Sequence, residues 1–547
     1  MLTALLLALL AAPASMGELS FEVSGSPECK QKFKEGMLAL HSFMYDQAHR
    51  RFAAAVAADP GCAMARWGDA MAHSKPLWGT EDAPAARAAL AAVGDESGLT
   101  AKERAYLHTA RALFGEGELP ARLAAWREAA ERMQRDYPDD DEPALQYALS
   151  LVADNDWYRD VKRSMQGASL AMDVFARHPE HPGAAHYLIH SCDTPEHAIL
   201  ALPAAKRYAR IAPAASHARH MPSHIFVQLG MYAESAASNE DSWAASVAEP
   251  SRPGAPKEAH GDFHSYSWLA ASYFELGQRK KAEELLAGLR ARIAKADVPY
   301  LRFAYASIVT MDLTHGQRKD RLDELLAPLE KPLPREAGEA ESSLGCALHA
   351  PGGSKPLRPP FGLWSLLRGR LIRAEAAARA GDVPAVSATL AKAEPIYAAL
   401  EAWKSVAPPG SLEVRRPYAD ALTALTKARA SRSFAEAQRA LEAVVAVPRP
   451  GPVGPAFEPL PEQFLAQALL ESGNAKAALA GYDRVLTRHP NLSTALLGAA
   501  RAAKAAGLAA VARDRYAALA ALWARADADL PDLEEVRAGA SGPSAAR

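Results

Sequence analysis

Little in this sequence announces a chemistry. The 547 residues carry a formal net charge of only -2, and no basic stripe or patch stands out, which argues against a nucleic-acid partner. Runs of β-branched residues are scarce while alanine is abundant, so strands have little to be built from and helices a great deal. After the first residues no segment is a transmembrane candidate. No phosphate-binding loop, dinucleotide fingerprint or nucleophile elbow occurs, and the absence of HExxH gives no support to a zincin-type protease. The length exceeds what one compact core usually holds, which leaves several domains or a repeat array.

Met1 to Ala14 reads MLTALLLALLAAPA, apolar and ending in small residues. It is too short to span a bilayer and fits the apolar stretch of a secretory signal, with an Ala-x-Ala-type site at Ala12-Pro13-Ala14. The lysine or arginine that usually precedes such a stretch is missing, and a buried N-terminal helix is the alternative. Cys29 lies too far downstream for a lipoprotein anchor. The expectation is a signal peptide over residues 1–16 and a periplasmic or secreted protein.

Between Phe33 and Pro60 stand Gly36, Tyr45, Ala48, Phe52, Ala55 and Asp59-Pro60. Small residues at Gly36 and Ala48 let two helices approach, aromatics fill the space beside them, and Pro60 stops the second helix. Ala466, Gly473, Ala478, Tyr482, Val485 and Pro490 repeat the pattern, as do Ala500, Gly507, Ala512, Tyr516 and Leu519. Ala466 and Ala500 are 34 positions apart. Weaker units include Gly230, Tyr232 and Asn239, and Ala270, Tyr273, Gly277, Ala282 and Leu286. The spacing resembles the tetratricopeptide-repeat (TPR) family, which implies an all-α, helical-hairpin solenoid coiled as a right-handed superhelix. Pro/Gly-rich stretches divide it: an N-terminal array over 28–350, a linker at 351–361, helical repeats over 362–446, a second linker at 447–461, a final repeat pair over 462–538 and a disordered tail at 539–547. Four cysteines allow three pairings, and Cys29–Cys62 is favoured, because one precedes the first helix of the first repeat and the other opens the helix after it.

Histidine is distributed unevenly. Of 17 histidines, ten fall between His178 and His264: His178, His181, His186, His190, His197, His217, His220, His224, His260 and His264. Three pairs are spaced i, i+4: His186/His190, His220/His224 and His260/His264. Random placement yields roughly half of one such pair. That spacing puts both imidazoles on one helix face, where they can converge on a metal ion. Pro182 and Pro222 are expected to open the helices bearing the first two pairs, and Asp262 to cap the third. In the repeat register His190, His220, His224 and His264 face the concave groove, while His186 lies nearer the packing side. Asp193, Glu196, Glu234 and Asp262 stand near enough in sequence to act as ligands or as their supports. HPGAAHYLIH and HARHMPSHIF together resemble a group of exported bacterial TPR proteins, a likeness that implies architecture alone. LHSFMYDQAHRRF fits the same group, and His41 and Trp67 read as repeat core.

Two functional readings follow. One is a scaffold that holds a peptide or protein in its concave groove, its histidines lining the groove. The other is a metal-binding protein or metalloenzyme using His190, His220, His224 and His264, with His186 and His260 next. An imidazole-rich set suits Zn, Cu, Fe or Ni, and spacing does not separate them.

Overall fold

The computed structural model describes residues 15–541 except 79, 156–159, 252–253, 317–320, 331–360, 402–410, 432, 448–453 and 456–459. The signal stretch up to Ala14, nearly all of the 351–361 linker, Cys346 and the tail beyond Ser541 lie outside these residues.

Among the described residues most helices follow one another through short turns and pack on a neighbour in sequence. The chain is an all-α solenoid of TPR-type helical hairpins, interrupted among the described residues by one two-stranded ribbon, Ser74–Lys75 against Thr80–Glu81. Phe52 shows how the hairpins mesh. It is fully buried on the Tyr45–Ala58 helix, between Gly36 on the helix before and Gly68 on the helix after. A Cβ on either glycine would lie 2.5 or 2.4 Å from the Phe52 ring. Near the other end Tyr482 occupies the same place against Gly498, at 2.3 Å. The period is also written in the backbone: Gly473 and Gly507, 34 positions apart, turn successive hairpins at φ of +85° and +74°.

The core is a series of packed bodies, as stacked repeats require. One runs from Leu19 to Phe226, the next from Val227 to Ile372, a third from Ala374 to Ala512. Cys29 and Cys62 are disulfide-bonded, with Cα atoms 6.7 Å apart, as the repeat register predicted. The last repeats return to the middle of the array. Asn491 Nδ2 donates to the Gly230 carbonyl at 3.2 Å, Ser493 N to Glu275 Oε2 at 2.7 Å, and Trp523 Nε1 to the Glu275 carbonyl at 3.0 Å. Glu275, buried, also accepts from His315 Nε2 at 3.0 Å. No helix among the described residues is long and apolar enough to cross a membrane.

Candidate metal centre

The elements that carry the histidines are short and consecutive. Pro182–Ser191 bears His186 and His190, opened by Pro182 as its sequence predicts. Ser216–His220 bears His217 and His220, and Pro222–Gln228 bears His224. Met221 joins the last two with right-handed helical angles (φ -54°, ψ -34°), so the run keeps its helical phase through Pro222. Phe263–Glu275 bears His264, and its N-cap is Asp262, whose Oδ1 accepts from His264 N at 3.0 Å.

These helices assemble two triads. His186, His190 and His217 offer nitrogens within 4.8 Å of one another, and so do His220, His224 and His264. The Ser216–His220 helix supplies one ligand to each, with the His217 and His220 rings 6.2 Å apart. His190 and His224 meet across the same boundary at 6.4 Å.

Hydrogen bonds aim the rings. The Asn239 amide is fixed by donating Nδ2–H to the Ser235 carbonyl at 2.8 Å, so its Oδ1 faces His220 Nδ1 at 2.7 Å and accepts from it. Asp193 accepts His224 Nδ1–H at 2.7 Å through one carboxylate oxygen and Gln228 Nε2–H at 2.9 Å through the other. The His41 carbonyl accepts His186 Nδ1–H at 2.6 Å. Three imidazoles thus carry their proton on Nδ1 and present Nε2 as a lone pair. His220 Nε2 and His224 Nε2 face each other at 3.0 Å, and His186 Nε2 faces His217 Nε2 at 3.2 Å. The two lone pairs of His220 and His224 repel at that distance unless a cation, proton or metal, stands between or beside them, whereas His217 Nε2 can donate a proton of its own to His186 Nε2.

The surroundings of five of these histidines disfavour the proton. Burial, with the neighbouring imidazoles adding to it, pushes His190, His217 and His220 well below the ordinary histidine value. His186 goes to about 3, by burial first and despite its bond to the His41 carbonyl. His264 is lowered to about 4, by burial first, with the Asp262 and Asp193 carboxylates opposing it. The sign for stability follows. Unfolded histidines titrate near 6.5, so below that pH the unfolded chain binds more protons than the folded one. The metal-free protein is therefore expected to lose stability steadily as pH falls from about 6.5 toward about 3, read by urea unfolding at stepped pH.

Aromatic side chains wall both triads. Trp268 stacks on His224 at 4.4 Å and lies 5.4 Å from the rings of both His220 and His264. Phe43 lies 4.3 Å from His186 and 5.6 Å from both His190 and His217. Phe43 adopts φ +54°, a left-handed conformation that costs a bulky residue of order 1–3 kcal/mol. The turn after the first helix thus spends stability to seat that ring against the first triad.

Five of the six sequence-selected histidines join a triad. His260 does not: its Nε2–H donates to the Val247 carbonyl at 3.0 Å, steadying the loop before the Phe263–Glu275 helix. That helix starts at Phe263 after its Asp262 cap, so His260 stands at its entry and is not carried round to the face of His264. His217 takes the sixth place. Its signal was the stripe His217, His220, His224, at i, i+3 and i+7, which follows one helical face. His186 is fully buried, in keeping with its place nearer the packing side, but the concave-groove expectation needs correction in degree for the others, since His220 is fully buried, His190 nearly so, His224 half-buried and His264 exposed. Of the four carboxylates, Asp193 supports a ligand and Asp262 caps a helix, while Glu196 and Glu234 are exposed. Cys192, beside Asp193, is buried, and burial and that carboxylate push its thiol up to about 12, so it stays protonated.

Two further groups of this kind occur. His41, Glu142 and His181 are buried together: Glu142 accepts His41 Nε2–H at 3.0 Å and His181 Nε2–H at 3.1 Å. Their other ring nitrogens accept from Tyr187 Oη–H at 2.9 Å and from Ala184 N–H at 3.4 Å. Every donor there has its acceptor, so this is a structural polar network, and His41 is more than the plain core its sequence suggested. It also explains Gly183, where a Cβ would lie 2.4 Å from His41 Nδ1. His49, Asp69 and His73 form a half-exposed group, with His49 Nδ1 2.5 Å from Asp69 Oδ1.

No family model matches the chain, and no curated protein matches it. Among solved structures it is similar to the human IFIT1 dimer with m7Gppp-AAAA, at 14% identity and a TM-score of 0.38 over 84% of this chain and 90% of that one. Yeast Tom70 gives 11% and 0.28 over 93% and 87%. The P58(IPK) TPR domain gives 11% and 0.19 over 94% and 98%. Likenesses this slight carry no argument about function, which has to come from the site itself.

Proposed function

We propose that this protein is an exported helical-hairpin scaffold that binds transition-metal ions at two adjacent tri-histidine sites. The observation that carries it is the His220–His224 pair, two Nε2 lone pairs 3.0 Å apart whose Nδ1 protons are held away by Asn239 and Asp193. Outer partners of this type are what histidine metal ligands require, since they fix the tautomer and aim the ring. Each triad supplies three imidazoles and leaves a tetrahedral ion one position for a small ligand. His217, half-buried, and His264, exposed, are where an ion would enter.

Export is supported by the apolar start of the chain and by the Cys29–Cys62 disulfide, a bond that persists in oxidising compartments. A peptide or protein partner in the groove is the other reading. What favours it is the repeat architecture alone, an analogy of fold. The nitrogen geometry supports the metal reading, and a metal site and a groove ligand are compatible.

Equilibrium dialysis of the full chain against Zn2+ and then against Cu2+ tests the proposal. Two ions per chain are expected, displaced by acid as the imidazoles protonate. Retention of well under one ion per chain with both metals would overturn it.

A further inference from the structure

We infer that the two triads act as one two-ion centre that holds copper and takes dioxygen as its ligand; this rests on the metal-binding reading above.

Adjacency comes first. His217 and His220 are on one five-residue helix yet belong to different triads, and their rings are 6.2 Å apart; His190 and His224 close the other side at 6.4 Å. Ions in the two triads would therefore be near neighbours held by the same short backbone segment.

Charge chooses the metal. All six ligands are imidazoles, and neither triad includes a carboxylate. Asp193 contributes one negative charge from behind His224, with both its oxygens engaged, and Asp262 a second beside His264. Two divalent ions would leave two uncompensated positive charges in a pocket walled by Phe43 and Trp268, which is costly at low dielectric. Two Cu(I) ions leave none. Imidazole suits copper, and for the divalent state copper also heads the affinity order among first-row ions. Hydrolytic chemistry is poorly served, because Asp193 is committed to His224 and Gln228, and Glu142 to His41 and His181, which leaves neither as a general base.

The same bookkeeping selects the ligand. Two Cu(I) ions each give one electron to dioxygen, which becomes a bound peroxide dianion while both ions become Cu(II). No proton and no further reductant enters. Total charge is the same before and after, since the dianion arrives with the two charges that the oxidised ions need. A small apolar molecule also suits aromatic walls, and it reaches the ions from the open His264 edge.

The test uses the full chain loaded with Cu(I) under argon and freed of excess metal, then exposed to air-saturated buffer in an oxygen electrode. Two copper ions per chain are expected, with one dioxygen taken up per copper pair, a new near-ultraviolet charge-transfer absorption, and no Cu(II) paramagnetic signal appearing on oxidation, because the two ions couple. His264→Ala, checked for unchanged circular dichroism, is expected to keep one copper and lose the uptake. Two copper ions whose paramagnetic signal accounts for both, or uptake unchanged in His264→Ala, would overturn the two-ion centre while leaving metal binding intact. Retention of Zn2+ in preference to copper in direct competition would overturn the choice of metal. Failure to hold any of these metals would overturn the underlying reading as well.

Discussion

His220→Ala is expected to strip the second triad of its ion while the first keeps its own. Outer-shell partners of metal-bound histidines are worth about 10–100-fold in affinity, and loss of a ligand nitrogen exceeds that. His220 is the residue to remove because it has the most defined role: Asn239 holds its Nδ1 and Nε2 is 3.0 Å from His224 Nε2. Calorimetric titration of the variant should show one tight ion per chain, the second weakened by more than about 100-fold. Since His220 is fully buried, its loss also leaves a small cavity, so the titration is paired with circular dichroism and with free imidazole added back. Partial rescue by imidazole identifies a missing ligand, which a merely structural defect would not show. Two tight ions in a folded His220→Ala protein would contradict the assignment.

Glu142→Leu is expected to be the most damaging single change away from the triads. The Glu142 carboxylate is 2% exposed and takes an N–H from each of two buried imidazoles. Burial works to raise its carboxyl, but His41 and His181 outweigh that and hold it well below the usual carboxylate range. Removing the acceptor leaves two buried donors unsatisfied, and breaking such a group by deleting one partner costs about 3–5 kcal/mol. Glu142→Gln, whose amide oxygen can still accept one of the two, should cost clearly less. The effect should also reach the metal. His41 holds His186 through its carbonyl at 2.6 Å, so a displaced His41 lets the first triad drift while the second stays. Urea unfolding read beside metal titration checks both parts. A loss of less than about 1 kcal/mol in Glu142→Leu would show that the network is not what positions His41.

Much of the architecture is local, and local physics is what a sequence displays. The glycine-against-aromatic contacts of Gly36 with Phe52, and of Gly498 with Tyr482, recur with the repeat and betray the hairpins. Cys29–Cys62 followed from repeat register. The site was legible where its residues share a helix: His186 with His190, and His220 with His224. What was not legible was pairing across helices. Nothing in the spacing of Asp193 says that it reaches His224, 31 positions on, or that Asn239 is the acceptor for His220. Phe43 entered the site only because a left-handed turn aims it there, a backbone state that no side-chain pattern announces. His260 stands apart for the opposite reason, an i, i+4 spacing that begins before the Asp262 cap. The docking of Asn491, Ser493 and Trp523 on Gly230 and Glu275 depends on how the whole array curves, a sum of small rotations that no local segment encodes.

The central claim is that two ions sit side by side in these two triads. Anomalous diffraction from crystals of the metal-loaded full chain, collected at the absorption edge of the bound metal, tests it most directly. The account predicts two peaks, one bonded to His186, His190 and His217 and one to His220, His224 and His264, each within about 2.0–2.1 Å of its nitrogens if the metal is zinc. Density confined to the half-exposed His49–Asp69–His73 group, with neither triad occupied, would contradict it.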